Sequence, residues 1–188
     1  AWVYATSVSG TGGIFDLWNG GQSAILLRRS TADLQFYTQG GSNIGATIFT
    51  QNIKHHLTIL EAKQLLPQFN GAVVGTPITS YSTTITNTYA LGIGGTATSG
   101  NECWTGYISD ARITKGTALY TSAFTPPTSP LTATSNTALL TCQYNGSINN
   151  NTFVDQSSSS NIITRAGNVA AGTFSPFSAA GWSNYFDG

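Results

Sequence analysis

Short apolar or alternating runs, each closed by a cluster of Gly, Asn or Ser, recur along this chain and constrain its fold more than any other feature. "AWVYA" is followed by "SGTGG", "IFDLW" by "NGG", "AILLRR" by "STAD" and "LQFYT" by "QGGSN"; "HHLTIL", "LLPQFNGAVVG", "YALGIGG", "WTGYISDARI" and "ALLTCQ" come next. Runs of this length between turn residues predict many short strands, and their spacing points to an antiparallel sandwich or barrel rather than an α/β fold. Asn70-Gly71, set between two apolar runs, is the strongest short hairpin signal. Helix-forming Glu, Lys and Arg are scarce while Gly, Thr and Ser abound, so long helices are not expected. "LEAKQLL" (60–66) is the one helix-like stretch. Its β-like neighbours make it a strand pair with a turn at Glu61–Lys63.

The surface must be neutral and polar. Only 7% of the 188 residues are charged, and seven Lys and Arg balance seven Asp and Glu. A net charge of zero supplies no footprint for nucleic acid or an anionic membrane, so neither partner is expected. No run of about 18 apolar residues predicts a membrane span. Cys103 and Cys142 form no CxxC or zinc pattern; a bridge between them and two buried thiols are both open, the thiols being the plainer reading. Beyond residue 142 the chain turns Asn- and Ser-rich, yet Phe153, Ile162, Ile163, Val169, Phe174 and Phe177 keep returning. That predicts an ordered, loop-rich segment pinned by single apolar anchors. "AWVYAT" reads as the middle of a strand and "YFDG" as a strand just starting, so a piece of something longer is expected.

"GYISDARITKGTALYTSAFTPPTSPL", then "NTALLTCQ", "SPF" and "YFDG", resembles the concanavalin A-like, laminin-G-type jelly-roll domains of phage tail-fibre and virion structural proteins. "AWVYAT", "HHLTIL" and "FNGAVVGT" are similar to strands that precede this signature. In such domains "YFDG" comes first and an "AWVY"-like strand follows, the reverse of the order here, which suggests a unit of a tandem array cut at a shifted point. The resemblance implies an all-β antiparallel jelly-roll β-sandwich over residues 1–142, lacking its usual first strands. Residues 143–188 would be a connector and the start of a following domain or a returning strand. Within the signature, "GYISDARI" is expected as one strand, with Tyr107, Ser109 and Ala111 on one side and Ile108, Asp110 and Arg112 on the other. "KGT" is a turn, Leu119, Tyr120 and Phe124 plug the rim, and Pro126-Pro127 stops further pairing.

The resemblance further implies a non-enzymatic virion appendage module that binds no cofactor and sits at the virion surface. Its expected partners are other fibre subunits, a second copy of itself, and host-surface polysaccharide. A bacterial extracellular adhesin or carbohydrate-binding module is the alternative, and a glucanase-like hydrolase the third reading.

Individual residues carry little chemistry. Glycan hydrolysis requires two neighbouring carboxylates, but Asp16, Asp33, Glu61, Glu102, Asp110, Asp155 and Asp187 are dispersed, no two within five positions. His55 and His56, adjacent on a strand, point to opposite faces and cannot chelate from one side; one packed and one exposed histidine is expected. No Asp-rich loop supports calcium at Asp16 or Asp110. "GIGGTA" (92–97) fits a dinucleotide fingerprint in letters only, since no helix follows to receive a pyrophosphate. Aromatic faces beside Asn, Gln and Asp suit sugars. Trp18, Asn19, Asn101, Glu102 and Trp182 are therefore the ligand-binding candidates, while Trp2 and Trp104 belong to the core. No catalytic or metal-ligating residue is assigned.

Overall fold

The computed structural model describes residues 1–18, 23–38, 43–47, 49–61, 65–77, 90–97, 102–143, 153–172, 174–177 and 183–188. Among these every regular element is a strand: β1 (Trp2–Ala5), β2 (Thr11–Trp18), β3 (Ser23–Ser30), β4 (Asp33–Thr38), β5 (Asn43–Thr47), β6 (Lys54–Glu61), β7 (Leu65–Phe69), β8 (Ala72–Val73), β9 (Gly92–Ile93), β10 (Thr105–Ser109), β11 (Ala111–Thr114), β12 (Thr137–Thr141), β13 (Ala170–Gly172) and β14 (Ser183–Asp187). They form a seven-stranded sheet in the order β13-β14-β10-β1-β6-β7-β8, a five-stranded sheet in the order β5-β4-β3-β2-β9, and the pair β11-β12. All pairings are antiparallel.

One apolar cluster draws Val3, Ala5, Leu57, Ile108 and Phe186 from the seven-stranded sheet and Ile14, Leu27, Leu34 and Phe36 from the five-stranded sheet. The two sheets thus share one core, as the layers of a β-sandwich do. Trp104 and Phe49 from the connections belong to the same cluster. Arg29 also lies on the inner side. Its guanidinium donates to the carbonyls of Ser9, Gly10 and Thr31 and rests 5.7 Å from the Trp104 ring.

Local rules account for several of these elements. Asn70 and Gly71 have φ of 50° and 82°, with Phe69 opposite Ala72, so a two-residue turn of the primed type closes the β7–β8 hairpin. Gly71 is also required sterically, since a Cβ there would lie 1.9 Å from the Phe124 carbonyl oxygen. Glu61 opposes Leu65, so "LEAKQLL" is a strand pair joined through residues 62–64. Residues 183–187 pair with both β10 and β13 and so lie inside the seven-stranded sheet.

Four expectations are corrected. "GYISDARI" is not one strand. Asp110 adopts a left-handed φ of 53°, so β10 pairs with β1 and β14 while β11 swings away to pair with β12. The side-chain alternation breaks with it: Ile108, Ser109, Asp110 and Ala111 are all buried. Leu119 is no plug, being 39% exposed; Tyr120 and Phe124 are half-buried and stack at 3.9 Å. Both histidines are buried, His55 to 4% and His56 to 2% exposure. They do point to opposite faces of β6, but each face is covered. His55 packs on Phe49 and Phe69 of the core, His56 against Trp2 of β1 and Tyr120 and Phe124 of the 115–131 segment. In the C-terminal part, Phe174 and Phe177 do act as anchors, on Tyr107 and Trp2 respectively, whereas Ile162 is 96% exposed and anchors nothing.

Candidate functional site

Strand alternation turns Leu27 and Arg29 inward from β3 and Arg28 outward. On the outer face Gln35 stands directly opposite Arg28. Arg28 Nε donates to Gln35 Oε1 at 3.0 Å, Nη2 to the Tyr37 hydroxyl at 3.3 Å, and Nη1 makes an ion pair with the Glu102 carboxylate. The guanidinium also sits 4.9 Å from the Tyr37 ring centroid. Glu102 reaches this position because Gly13 of β2 has no side chain to obstruct it. The Glu102 carbonyl accepts the Gly13 N–H at 2.6 Å, and a Cβ on Gly13 would lie 3.3 Å from that oxygen. Both Nη groups and Nε are thus engaged. The result is a neutral, preorganised polar patch in which Glu102 Oε2 is buried without a hydrogen-bond partner.

The outer face of the seven-stranded sheet is aromatic. Cross-strand register lines up Tyr185, Tyr107, Tyr4 and Lys54 across β14, β10, β1 and β6. Phe174 stacks on Tyr107 at 4.8 Å and leans on Tyr4 at 4.4 Å, while Lys54 Nζ lies over the Phe174 ring at 5.1 Å and donates to Ser175 O at 2.9 Å. A narrow crevice between Trp2, Tyr4, Lys54, Ser109 and Phe174 has room for roughly one water. At the open end of the row Tyr185 is 37% exposed. Two residues along the same face, Asp187 accepts Asn168 Nδ2 at 2.9 Å. An exposed ring flanked by a carboxylate–amide pair suits a sugar, whose apolar face stacks while its hydroxyls bond outward. The alternation in "SNYFD" was the signal for this patch, since it sets Tyr185 and Asp187 against the buried Phe186.

Among the sequence candidates, Trp18 ends β2 opposite Ser23. Five residues separate it from Gly13, roughly 16 Å of strand, so its backbone lies well away from Glu102. The Trp18 side chain and residues Asn19, Asn101 and Trp182 lie outside the described residues. Trp104 is fully buried and Trp2 half-buried under Phe177.

Two other acids, Asp110 and Asp155, serve the fold. Asp110 accepts Ser109 Oγ at 2.6 Å, Leu131 N at 2.8 Å and Gln143 Nε2. Asp155 accepts the N–H groups of Leu140, Ser157 and Asn161, together with Ser157 Oγ and Asn161 Nδ2. Burial alone would raise the Asp155 pKa, but these donors outweigh it and hold the carboxyl well below the usual range. Cys103 and Cys142 are thiols, not a disulfide. Burial pushes the Cys142 thiol up to about 12, which makes it unreactive at neutral pH. Among the described residues no cluster of three or more His, Cys, Asp or Glu is placed to hold a metal ion. No protein-family model matches this chain, nor does any curated protein or solved structure.

Proposed function

We propose that the chain is a non-catalytic, concanavalin A-like jelly-roll module of a virion surface appendage, acting as a structural spacer that also contacts neutral host-surface glycan. The observation that carries this reading is the use of its charged groups. Asp110 and Asp155 tie irregular segments to strands, Glu102 neutralises Arg28, and Arg29 closes two turns from inside. Such carboxylates are clamps rather than an acid–base pair. The block that carries the family resemblance, Lys115 to Pro127, likewise forms a strap over the seven-stranded sheet.

Binding would be weak at a single site, roughly millimolar, and made useful by repetition along a fibre. Contact is assigned to Tyr185 with Asp187 and Asn168, and to Trp18 and Asn19 at the end of β2. The exposed Tyr185 patch also favours a second reading, an extracellular adhesin or carbohydrate-binding module. A multimerised form of the chain on glycan arrays and host cells tests the binding. Tyr185→Ala and Trp18→Ala, made separately, should each weaken it at least several-fold, and added salt should change it little because no ion pair is involved. If the multimer binds no glycan, the spacer role stands alone; turnover of any polysaccharide would contradict the non-catalytic reading.

A further inference from the structure

Residues 115–131 form an irregular strap, fastened firmly at its two ends and loosely in the middle. At one end Lys115 N donates to Asn136 O at 2.9 Å and Asn136 Nδ2 donates to Thr117 Oγ1. At the other, Leu131 N donates to the buried Asp110 carboxylate. Between them the backbone reaches the sheet at few points. Phe124 N donates to Gly71 O at 2.9 Å, and Gln68 Nε2 donates to the carbonyls of Tyr120 and Ser122. Thr121, Ser122 and Ala123 are exposed. What presses the middle down is the stacked pair Tyr120 and Phe124, and the ring beneath both is His56.

The His56 site suits only a neutral imidazole. Trp2, Tyr120 and Phe124 surround the ring at 5.1, 6.5 and 5.5 Å between centroids, and Nδ1 is buried with no partner. From β11, Arg112 brings a second cation and donates to the Tyr120 hydroxyl. Just before β1, the buried Ala1 amino group, its pKa lowered to about 5 by burial, donates to Leu57 O and brings no carboxylate. From the β7–β8 turn, Asn70 gives only an amide, whose oxygen accepts the His56 backbone N–H. Lys54, on His56's own strand and face, is held by Ser175. Tyr120 is the only titratable group contributed by the strap's inner side, and none of these contacts is a carboxylate.

We propose that the strap is an acid-released cover: protonation of His56 lifts residues 118–130 off the outer face of β6 and β7, about the anchors at Lys115, Thr117 and Leu131, while the sandwich stays folded. An imidazolium under two aromatic rings, with like charge nearby, is costly; opening hydrates it and breaks three backbone-directed hydrogen bonds and the one from Arg112 to the Tyr120 hydroxyl. Burial lowers the pKa of the closed form to about 3, in the direction this requires. Opening uncovers His56 and Gln68, whose Oε1 is likewise buried without a partner.

Amide hydrogen exchange followed by NMR, corrected for intrinsic rates, tests this on the intact chain. Protection of the Phe124 amide should fall about twentyfold between pH 7 and 5, the factor set by a histidine of ordinary pKa in the open form. The Ile108 amide should remain the better protected throughout. In His56→Phe and His56→Gln the pH-dependent loss at Phe124 should disappear. Should either variant fail to fold, the His56 ring titration in the wild type must share its midpoint with strap opening. The proposal is overturned if Phe124 and Ile108 exchange together, if Phe124 protection is flat with pH, or if its fall persists without His56.

Discussion

On β3 the outward Arg28 stays near the surface among Gln35, Tyr37 and Glu102, whereas on β6 the outward His56 is sealed beneath Tyr120 and Phe124. The same two-residue alternation turned both side chains away from the core. What differs is the cover. Around Arg28 the five-stranded sheet keeps a partly exposed, hydrogen-bonded polar lattice on its outer face, while the neighbouring Asp16 and Leu26, paired on that face, are buried. Over the seven-stranded sheet lie two irregular segments, 115–131 and 174–177, which bury a histidine, a tryptophan and much of a tyrosine row. Alternation therefore decides which side a residue takes, but only the covering segments decide whether that side is wet.

The sharpest way to break the contrast is to cut the strap at its buried anchor. Asp110→Ala should cost about 4 kcal/mol, because Leu131 N, Ser109 Oγ and Gln143 Nε2 lose their acceptor in a buried site. Denaturant unfolding measures it, and a loss under about 1 kcal/mol would mean the anchor is dispensable.

Acid is the next largest perturbation. His55 and His56 both have lowered pKa values, chiefly through burial, so the unfolded chain takes up protons near pH 6.5 that the closed structure refuses. Their contribution is whole above pH 6.5 and is lost as pH falls, by up to about 1.4 kcal/mol per pH unit for each ring. For His56, descent from pH 6.5 to 4.5 should remove about 2 kcal/mol, and His55 adds to the loss in the same direction. Asp155, with its depressed pKa, adds a further loss only as pH falls below about 4. Stability that stayed level between pH 7 and 5 would contradict the burial of both rings.

Removing one cover residue comes third. Tyr120→Ala should cost about 2 kcal/mol, less than a fully buried ring because Tyr120 is half-exposed but still stacked on Phe124. On the open face the effect should be smallest. Arg28→Ala should cost below about 1 kcal/mol, since its ion pair with Glu102 is partly solvated. A cost as large as that of Tyr120→Ala would make the two faces energetically alike.

Much of the strand framework was legible because its signals are local. Asn70-Gly71 demands a primed turn, the apolar runs mark β1, β2, β3, β4 and β6, and Lys115-Gly116-Thr117 closes a strand. The break at Asp110 was not legible. Nothing in "ISDARI" announces a left-handed residue, whose cost is offset by Leu131 and Gln143 from far along the chain. The burial of His56 was hidden for the same reason: its cover lies more than sixty residues away and has no periodicity of its own. Of the site candidates, Glu102 looked like a surface acceptor, and only the fold brings Arg28 to it.

The most direct test of the sealed outer face is the side-chain NMR titration of His55 and His56 in the native chain, because one strand reports on both sides of the seven-stranded sheet. Neither ring should titrate near pH 6.5. His55 should remain neutral until the fold is lost, and His56 should protonate more than one pH unit below the ordinary value, together with the strap. A His56 midpoint near 6.5 with strap amides unchanged would show that the outer face of β6 is open to water, and the distinction between the two faces would fail.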